Sequence, residues 1–324
     1  MRTRVVAVLS VFGGVVLGGC GQGGNATPSG TPHQAVVRQV DVGRGPIGIA
    51  ASRSGDVWVA SADGDRVLHL PAGGTRSDVQ VAVSGTPLRL ALAEDDATLW
   101  VSAFRTGEVV RVDTATQKVT DRIAVGAGTE GVAEAFGSVW VVAQDDGLLA
   151  RIDPATRKIV QKVEVGKGVR LVVPGADALW LDDQPGGTVV RVDPQSYTVK
   201  RSGHICDAPE DLAVVGGTVW VTCSSGDELV AFSPTNLQVI RHVRLTGTPD
   251  AITAAPDGSL LVVLQDGPTL VRLDGASGAE LSRTRLGRHP QLRDQANLDV
   301  AITGKDAWVT SYSHGSVFRL AWGG

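Results

Sequence analysis

Short runs of alternating hydrophobic and polar residues, separated by tight turns, fill most of this chain. The stretch 135–166, AFGSVWVVAQDDGLLARIDPATRKIVQKVEVG, shows the pattern most clearly. Val139, Trp140 and Val141 have the β-branched and aromatic character of a buried strand. The turns Gln144–Gly147 and Asp153–Thr156 carry the Asp, Gly and Pro residues that tight turns favour. The pattern predicts a four-stranded meander over Gly131–Ala135, Ser138–Ala143, Leu148–Ile152 and Lys158–Val165.

This unit recurs along the chain. The first five copies of the unit each contain a tryptophan, and these tryptophans are 42, 40, 40 and 40 residues apart. In the sixth copy a leucine stands at this position, 41 residues later, and the last tryptophan follows after a further 47 residues. The seven positions are Trp58, Trp100, Trp140, Trp180, Trp220, Leu261 and Trp308.

The second turn of the unit recurs with the same period, at Asp113, Asp153, Asp193, Ser233 and Asp274. A period near 40 residues with four strands per copy is typical of a β-propeller. An open solenoid would need atypical capping repeats at its ends, and the sequence shows none. We therefore predict an all-β fold, a seven-bladed β-propeller of four-stranded antiparallel blades.

The ends of the repeat array predict how the ring closes. Ala35–Val42 forms a lone strand before the first full blade, whereas the last blade supplies only Asp299–Thr303, Ala307–Tyr312 and Ser316–Trp322. We expect the N-terminal strand to pair into the last blade, because closure protects sheet edges that would otherwise be unpaired. No compositional break interrupts residues 34–324, which we interpret as one domain.

The first 33 residues have the features of an export and anchoring segment. Arg2 and Arg4 precede an apolar run that is too short to span a bilayer, so residues 1–19 are interpreted as a signal peptide. Leu17-Gly18-Gly19-Cys20 resembles the lipobox of bacterial lipoproteins, and the resemblance implies lipidation of Cys20; an ordinary secreted protein is the alternative. Residues 20–33 form a flexible tether. We expect an extracytoplasmic protein held at the cell membrane only by its lipid.

Charge excludes one class of partner. The net charge is −4, or −6 once the two leader arginines are removed, and no run of Lys or Arg is present. Nucleic-acid binding usually requires a basic surface, so we expect no nucleic-acid partner. We expect a monomer.

The repeat resembles the YVTN-repeat (YncE-like) family of seven-bladed propellers. The family tetrapeptide corresponds to Trp58–Ser61, Trp100–Ala103, Trp220–Cys223 and Trp308–Ser311, and the leading Gly-x-Pro motif to Gly45-Pro46 and Gly247-Thr248-Pro249. The resemblance covers nearly the whole mature chain. It implies the architecture and leaves the activity open, because blade-building residues are shared by propellers of many functions.

Two cysteines remain besides the one at the lipobox. Alignment of the repeats puts Cys206 in the loop before the innermost strand of blade five and Cys223 at the far end of the next strand. Both places lie on the same face of a blade. We predict a Cys206–Cys223 disulfide, which an extracytoplasmic compartment permits; two free buried thiols are the alternative.

Two adjacent repeat positions are expected to face the mouth of the central channel, where propellers offer a concave site. The first position reads Ile47, Leu88, Glu130, Arg170, Glu210, Asp250 and Leu298 from blade one to blade seven. The second reads Gly48, Arg89, Gly131, Leu171, Asp211, Ala251 and Asp299. Charged residues rarely begin buried strands unless they are solvated or used. A polar binding funnel and a solvated mouth whose ions pair with each other explain the pattern equally well.

A second candidate region is the insertion 288–297, which lengthens the spacing before blade seven. It carries His289 and Arg293, and we expect Tyr312 and His314 to lie near it. Loops rich in such residues on rigid scaffolds often bind ligands. An idle surface loop is the alternative.

Motifs for metal binding and nucleophilic catalysis are weak. No two of the six histidines are spaced as metal ligands, and the acidic pair Asp182-Asp183 is more simply explained as turn chemistry than as a calcium site. We predict no cofactor. His289 and His314 are the candidates for a general acid and base, on position alone.

The sequence favours a binding or interaction scaffold whose ligand is a small molecule, a peptide or an envelope protein. The candidate contacts are Arg89, Glu130, Arg170, Glu210, Asp211, Asp250, Arg293, Asp299 and Tyr312. The alternatives are a lyase or lactonase-like enzyme that uses the histidines and carboxylates of this face with a divalent cation, and a purely structural envelope component. Binding is favoured because the chain builds a platform without a complete catalytic set.

Overall fold

The computed structural model describes residues 37–287 and 297–322, and the regular structure in these ranges is 28 β-strands. The strands form seven four-stranded antiparallel sheets. The described residues belong to one compact unit. Within the described ranges, no helix has the length and apolar character needed to cross a membrane. The predicted leader, the lipobox cysteine and the tether lie outside the described residues.

Each blade is an antiparallel sheet, and in blades 1 to 6 the innermost strand comes first in sequence. The chain begins with β1 (Arg38–Asp41), which belongs to blade 7. The strands of blades 1 to 3 are β2 (Pro46–Ala51), β3 (Val57–Ser61), β4 (Arg66–Leu70) and β5 (Val79–Ala82); β6 (Pro87–Leu92), β7 (Thr98–Ala103), β8 (Glu108–Asp113) and β9 (Lys118–Ala124); and β10 (Thr129–Ala135), β11 (Ser138–Ala143), β12 (Leu148–Asp153) and β13 (Lys158–Glu164).

The remaining blades follow the same order. The strands of blades 4 to 7 are β14 (Val173–Gly175), β15 (Ala178–Asp183), β16 (Thr188–Val192) and β17 (Val199–Arg201); β18 (Pro209–Val215), β19 (Thr218–Cys223), β20 (Glu228–Phe232) and β21 (Val239–Arg244); β22 (Pro249–Ala254), β23 (Ser259–Leu264), β24 (Thr269–Asp274) and β25 (Glu280–Arg285); and β26 (Val300–Thr303), β27 (Asp306–Ser311) and β28 (Ser316–Ala321). The seven-bladed propeller predicted from the repeat is confirmed.

The predicted closure of the ring is also confirmed. β1 pairs with β28 in antiparallel register, with Val40 opposite Val317. Just beyond the strand, the Val42 amide donates a hydrogen bond to the Gly315 carbonyl at 3.0 Å. Blade 7 is therefore built from both ends of the described chain, and no described blade is left with three strands.

The hydrophobic core lies between the blades. Innermost strands of successive blades contact each other around the complete ring, from β2 through β6, β10, β14, β18 and β22 to β26 and back to β2. Seven clusters of buried side chains fill the seven interfaces between neighbouring blades. The repeated tryptophans are buried in them, and several indole N–H groups donate to a backbone carbonyl, such as Trp180 to Gly175 at 2.8 Å. The repeat residues are thus the residues that pack one blade on the next.

The second turn of the unit owes its geometry to its aspartate. The carboxylate of Asp153 accepts hydrogen bonds from the Ala155 and Thr156 amides at 2.8 and 3.0 Å, and these bonds lower the pKa of Asp153. Asp113, Asp193 and Asp274 likewise accept the amide three residues further on in their blades. The turn chemistry expected from the sequence is confirmed at these four positions.

Blade 4 departs from the repeat. Its innermost strand has only three residues, and the segment before it touches the next strand through an isolated bridge between Val169 and Asp183. In this blade the Leu171 amide donates to the Asp182 carboxylate at 2.6 Å. Asp182 lies inside β15, so its interpretation as a turn residue was wrong, whereas Asp183, the last residue of that strand, accepts the Gly186 amide of the following turn at 3.1 Å.

The predicted disulfide is present. Cys206 and Cys223 are bonded, with 6.1 Å between their Cα atoms and a sequence separation of 17. Both side chains are buried in the interface between blades 4 and 5. The bond ties the loop before β18 to the end of β19, as the repeat alignment predicted.

Candidate functional site: the charged mouth of the central channel

An irregularity in the innermost strands creates the two candidate positions. In blades 1, 2, 3, 5 and 6 the register against the second strand shifts between the first and fourth residues of the segment, for example between Pro209 and Leu212. The two residues inside the shift are the first and second positions predicted from the sequence. We call them the mouth position (Ile47, Leu88, Glu130, Arg170, Glu210, Asp250 and Leu298) and the channel position (Gly48, Arg89, Gly131, Leu171, Asp211, Ala251 and Asp299).

The second strand holds this irregularity in place. The Asp211 amide donates to the Thr222 hydroxyl at 3.0 Å, and the Asp299 amide donates to the Thr310 hydroxyl at 2.8 Å. Ser102 accepts from the Arg89 amide in the same way. These hydroxyls replace the ladder partner that the shifted residue loses, because a buried amide without a partner is costly.

Charged residues of the mouth position form one connected group. Arg170 lies between two carboxylates: its Nη1 donates to Glu210 at 2.9 Å and its Nη2 is 3.6 Å from Glu130. Glu130 in turn lies 4.0 Å from the Nε of Arg89. Glu130 and Glu210 are only 4 and 5% exposed. The group therefore spans blades 2 to 5 and is largely removed from bulk water.

Neutral amide and hydroxyl groups hold the mouth carboxylates. Gln144 donates to Glu130 at 3.1 Å, Gln184 to Glu210 at 2.8 Å and Gln265 to Asp250 at 2.8 Å. Ser224 also donates to Glu210, at 2.8 Å. These donors occupy one repeat position, the first residue after the second strand. We call it the turn position; it reads Ala62, Phe104, Gln144, Gln184, Ser224, Gln265 and Tyr312.

Residues of the channel position converge on a central cavity. Arg89, Gly131, Leu171, Asp211 and Asp299 line a cavity of about 110 Å³. This volume holds roughly three or four water molecules. Five of the seven blades therefore present the predicted residue to one small space.

The channel carboxylates bridge neighbouring blades. Asp211 accepts from the Ile252 amide of blade 6 at 2.9 Å, and Asp299 accepts from the Ile49 amide of blade 1 at 3.0 Å. Arg89 reaches across to Asp299, with its Nη1 3.5 Å from that carboxylate and 3.1 Å from the Leu298 carbonyl. The channel position thus contributes both to the cavity and to the contacts between blades.

Burial changes the protonation of these acids. Desolvation raises the pKa of Asp211 to about 8, against the opposing hydrogen bond from Ile252. Desolvation, reinforced by the negative charge of Glu210, raises the pKa of Asp250 to about 7. The pKa of Asp299 is also raised by burial, although Arg89 opposes the shift. Several acids of the mouth therefore titrate near neutral pH.

The two arginines are held in their charged form. Burial alone would lower the pKa of Arg89, but the nearby carboxylates of Asp299 and Glu130 outweigh it and the pKa rises. The pKa of Arg170 rises for the same reason: Glu130, Asp182 and Glu210 together outweigh its desolvation. Both guanidinium groups remain fixed cations at all working pH values.

Asp182 belongs to this cluster. It is fully buried, and desolvation raises its pKa to about 7 against the attraction of Arg170. Its Oδ1 accepts the Leu171 amide, while its Oδ2 has no hydrogen-bond partner among the described residues. The Nε of Arg89 is likewise a buried donor with no acceptor in the described part of the chain.

The remaining predicted candidates lie apart from this group or outside the described residues. Tyr312 donates its hydroxyl to Asp63 of blade 1 at 2.8 Å, which raises the pKa of Tyr312. His314 has its Nδ1 2.8 Å from the Ser311 hydroxyl and packs edge-on against Phe318 in its own blade. His289 and Arg293 fall in the segment that is not described, so their roles stay predictions.

The arrangement can hold charged ligand groups and can exchange protons near neutral pH. In the described part of the chain, no three His, Cys, Asp or Glu side chains are grouped so as to hold a metal ion. One polar contact to the insertion is described: Arg170 Nη2 donates to Asn297 at 2.8 Å.

Sequence reasoning missed two kinds of residue. The glutamines of the turn position were detectable, because they stand four residues after the repeated tryptophan or leucine in blades 3, 4 and 6. Asp182 was also detectable, because it is the one charged residue at the third place of the tetrapeptide, where the other blades carry Ala, Ser, Thr or Val. Both are departures from the repeat at positions adjacent to the mouth.

Comparison with solved structures supports the fold. Virginiamycin B lyase from Staphylococcus aureus matches with a TM-score of 0.76 and 15% identity, over 89% of this chain and 100% of the lyase chain. A streptogramin B lyase structure matches with a TM-score of 0.77 and 14% identity, over 89% of this chain and 97% of that one.

A third neighbour has a different chemistry. Hydrazine synthase from Kuenenia stuttgartiensis matches with a TM-score of 0.75 and 17% identity, over 94% of this chain and 99% of that one. No protein-family model and no curated protein sequence matches the chain. At these identities the neighbours establish the propeller fold alone.

Proposed function

We propose that this protein is a lipid-anchored, extracytoplasmic binding scaffold that holds a small molecule, a peptide or an envelope protein at its channel mouth. The observation that carries the proposal is the buried charge cluster on blades 2 to 7. Burying charges costs free energy, and burying several together costs more. The fold does not require charges at the mouth position, because Ile47, Leu88 and Leu298 occupy it in blades 1, 2 and 7. A role in binding explains their presence.

The localisation in this proposal rests on the sequence. The signal-like leader, the lipobox-like Cys20 and the short polar tether support export followed by lipidation. The Cys206–Cys223 disulfide is consistent with an oxidising compartment, where such bonds persist. Membership of the YVTN-repeat family is part of the same proposal and rests on the tetrapeptides quoted above.

The rigidity of the propeller also favours binding. The mouth residues project from innermost strands that pack against both neighbouring blades, so their positions are fixed before a ligand arrives. Preorganised polar groups in a concave site bind more tightly than mobile ones, because little conformational entropy is lost.

The experiment compares the wild-type protein with a variant that carries Glu210→Gln and Asp250→Asn. Both proteins are used for affinity capture from detergent-solubilised membranes after crosslinking, and both are screened by thermal shift against fractionated metabolite extract. We expect the wild type to retain at least one ligand or partner that the variant loses.

The matched control is Glu94→Gln, which removes an exposed carboxylate far from the mouth. It should behave as the wild type in both assays. Identical profiles for all three proteins would contradict a binding role for the mouth.

A lyase or lactonase-like activity is the second candidate. It is favoured by the likeness of the fold to two lyases and by acids of the mouth whose pKa values lie near 7 to 8, a range suited to general acid–base catalysis. The test is incubation of the purified protein with cyclic ester substrates, with and without divalent cations. Turnover that His314→Ala removes, with unchanged thermal stability, would establish it over the scaffold.

A further inference from the structure

The mouth of the channel has two chemically different sides. At the mouth position, blades 3 to 6 carry Glu130, Arg170, Glu210 and Asp250, whereas blades 7, 1 and 2 carry Leu298, Ile47 and Leu88. The turn position carries Gln144, Gln184, Ser224 and Gln265 on blades 3 to 6, Ala62 and Phe104 on blades 1 and 2, and Tyr312 on blade 7, where the Tyr312 hydroxyl donates to Asp63. Both repeat positions are therefore polar on blades 3 to 6 and apolar on blades 1 and 2.

A backbone hydrogen bond connects the turn position to the segment of the mouth position on both the polar and the apolar side of the ring. The turn residue donates its backbone amide to the carbonyl two places before the mouth residue: Gln265 to Thr248 at 3.0 Å on the polar side, and Phe104 to Thr86 at 3.1 Å on the apolar side. The backbone is the same, and only the side chains differ. Leu88 and Phe104 are half-buried, so both retain accessible apolar surface beside the channel.

The polar side has more acids than its own cations can neutralise. At the mouth position, Arg170 pairs with Glu130 and Glu210, and Arg89 lies 4.0 Å from Glu130. Asp250 is held by the amide of Gln265, a neutral donor. Three more carboxyl groups belong to Asp182, which interacts with Arg170, and to Asp211 and Asp299, which line the cavity with Arg89. The cluster therefore contains six acids and two fixed cations.

Unpartnered polar atoms show that the cluster does not satisfy itself. Arg89 is 7% exposed and lines the central cavity beside Asp211 and Asp299, yet its Nε has no hydrogen-bond acceptor in the described residues. Asp182 is fully buried, and its Oδ2 has no donor among them. Buried polar groups in folded proteins usually have a partner from the protein, water or a ligand. A donor such as an ammonium group would satisfy the Asp182 oxygen, whereas the Nε of Arg89 lies 4.0 Å from the Glu130 carboxylate.

We propose that the mouth binds an amphipathic organic cation, with its ammonium or guanidinium group on the acids of blades 3 to 6 and its apolar body on Leu88 and Phe104. The proposal rests on the binding function proposed above and narrows the ligand class. An ammonium group supplies three donors and a positive charge, which matches carboxylates that have spare acceptor capacity. An apolar body beside it would cover the accessible surface of the two apolar blades.

Binding of such a cation is expected to release protons. Asp250 is faced by Glu210, Gln265, Arg89 and Arg170, and at neutral pH it is partly protonated. A cation beside the carboxylate favours the charged form and displaces the proton into solvent. Affinity for the cation should therefore rise between pH 6 and pH 8, and the heat of binding should depend on the ionisation enthalpy of the buffer.

The test uses three probes of equal length, hexylammonium, 1-hexanol and hexanoate, with the full chain or its residues 34–324. Thermal shift and titration calorimetry at pH 8 should show binding of hexylammonium and no binding of the alcohol or the acid. Asp250→Asn should weaken binding of hexylammonium about tenfold, because a buried charge-assisted contact is lost. Phe104→Ala should weaken the binding of hexylammonium and leave the affinity for methylammonium unchanged.

Glu94→Gln is the control and should bind hexylammonium as the wild type does. Because Asn is nearly isosteric with protonated Asp, Asp250→Asn is expected to fold, and its melting curve without probe checks this. If it does not fold, Glu210→Gln takes its place. Equal binding of all three probes, binding of hexanoate alone, or absence of hexylammonium binding would overturn the proposal.

Failure of this inference can be told apart from failure of the binding scaffold. If the membrane capture or the metabolite screen yields a mouth-dependent ligand that is neutral or anionic, the scaffold stands and the cation is wrong. If no mouth-dependent ligand is found, the scaffold itself fails.

Discussion

At the mouth, single residues determine whether the buried carboxylates are matched by buried cations. Arg170 is the clearest case, because it lies between Glu130 and Glu210 and is the only guanidinium group at the mouth position in the described blades. Removing one partner of a buried ion pair leaves the other charge uncompensated, and that is usually worse than removing both. The cluster can therefore be probed by single and compensated substitutions.

Arg170→Met should lower the free energy of unfolding by roughly 3–5 kcal/mol, because it leaves two buried carboxylates side by side. Adding Glu130→Gln and Glu210→Gln to the same protein should recover most of the loss. Chemical denaturation at pH 7.5 measures both. A triple variant no more stable than the single one would show that Arg170 acts through packing.

The raised pKa of Asp182 makes the free energy of unfolding depend on pH in a definite direction. Its pKa in the folded protein is about 7, above the value of about 4 expected in the unfolded chain, so the folded state binds the extra proton. Its stabilising contribution is present below about pH 4 and is lost as pH rises through 7. Asp182→Asn should therefore reduce the fall in the free energy of unfolding between pH 5 and pH 8.

The measurement is denaturant unfolding at several pH values in that window, with Asp257→Asn as a control. Asp257 is a surface acid whose pKa is lowered by hydrogen bonds from Ser259, so it titrates below the window. An Asp182→Asn protein whose stability follows the wild-type pH curve would contradict the assignment.

At the scale of elements, the sequence predicted most of the fold because each blade repeats the same physical solution. Trp140 and its equivalents fill the gap between blades, and Asp153 and its equivalents form the second turn, so these positions recur and can be aligned. The mouth could be predicted only as a set of positions. Ion pairing across blades, as between Arg89 and Asp299, depends on ring curvature that periodicity does not encode. Asp182 was misassigned because turn composition was weighed above its place in the tetrapeptide.

Closure by β1 is a testable property of one element. β1 covers the outer edge of β28. Deleting residues 35–42 should expose that edge and abolish cooperative unfolding, because blade 7 loses its fourth strand. Thermal unfolding followed by circular dichroism provides the measurement. A truncated protein that melts like the intact one would show that pairing of β1 with β28 is not needed for cooperative unfolding.

The disulfide stabilises the junction of blades 4 and 5. It closes a loop of 17 residues, for which the chain-entropy estimate is about 3 kcal/mol. A variant carrying Cys206→Ser and Cys223→Ser should lose about that much free energy of unfolding, measured by denaturation without reductant. The wild type with reductant should lose a similar amount, and no loss in either case would mean that the bond adds no stability.

For the whole molecule, function follows the departures from sevenfold symmetry. The fold needs buried tryptophans and tight turns in every blade, and these are nearly uniform around the ring. The mouth and turn positions are not uniform: both are polar on blades 3 to 6 and apolar on blades 1 and 2, and blade 7 combines Leu298 with Tyr312. A structural role would not require this asymmetry, whereas recognition of a ligand with two different ends would.

The central claim, that this protein binds through its mouth, is tested most directly by site-specific photocrosslinking in the cells that naturally produce it. A photoreactive benzophenone amino acid replaces Leu88 at the mouth in one strain and Val199 on the exposed outer strand β17 in another. After irradiation, intact-mass analysis and gel shift should detect an adduct at position 88 and none at position 199. An adduct at position 199 alone, equal adducts at both, or none at either would contradict the account.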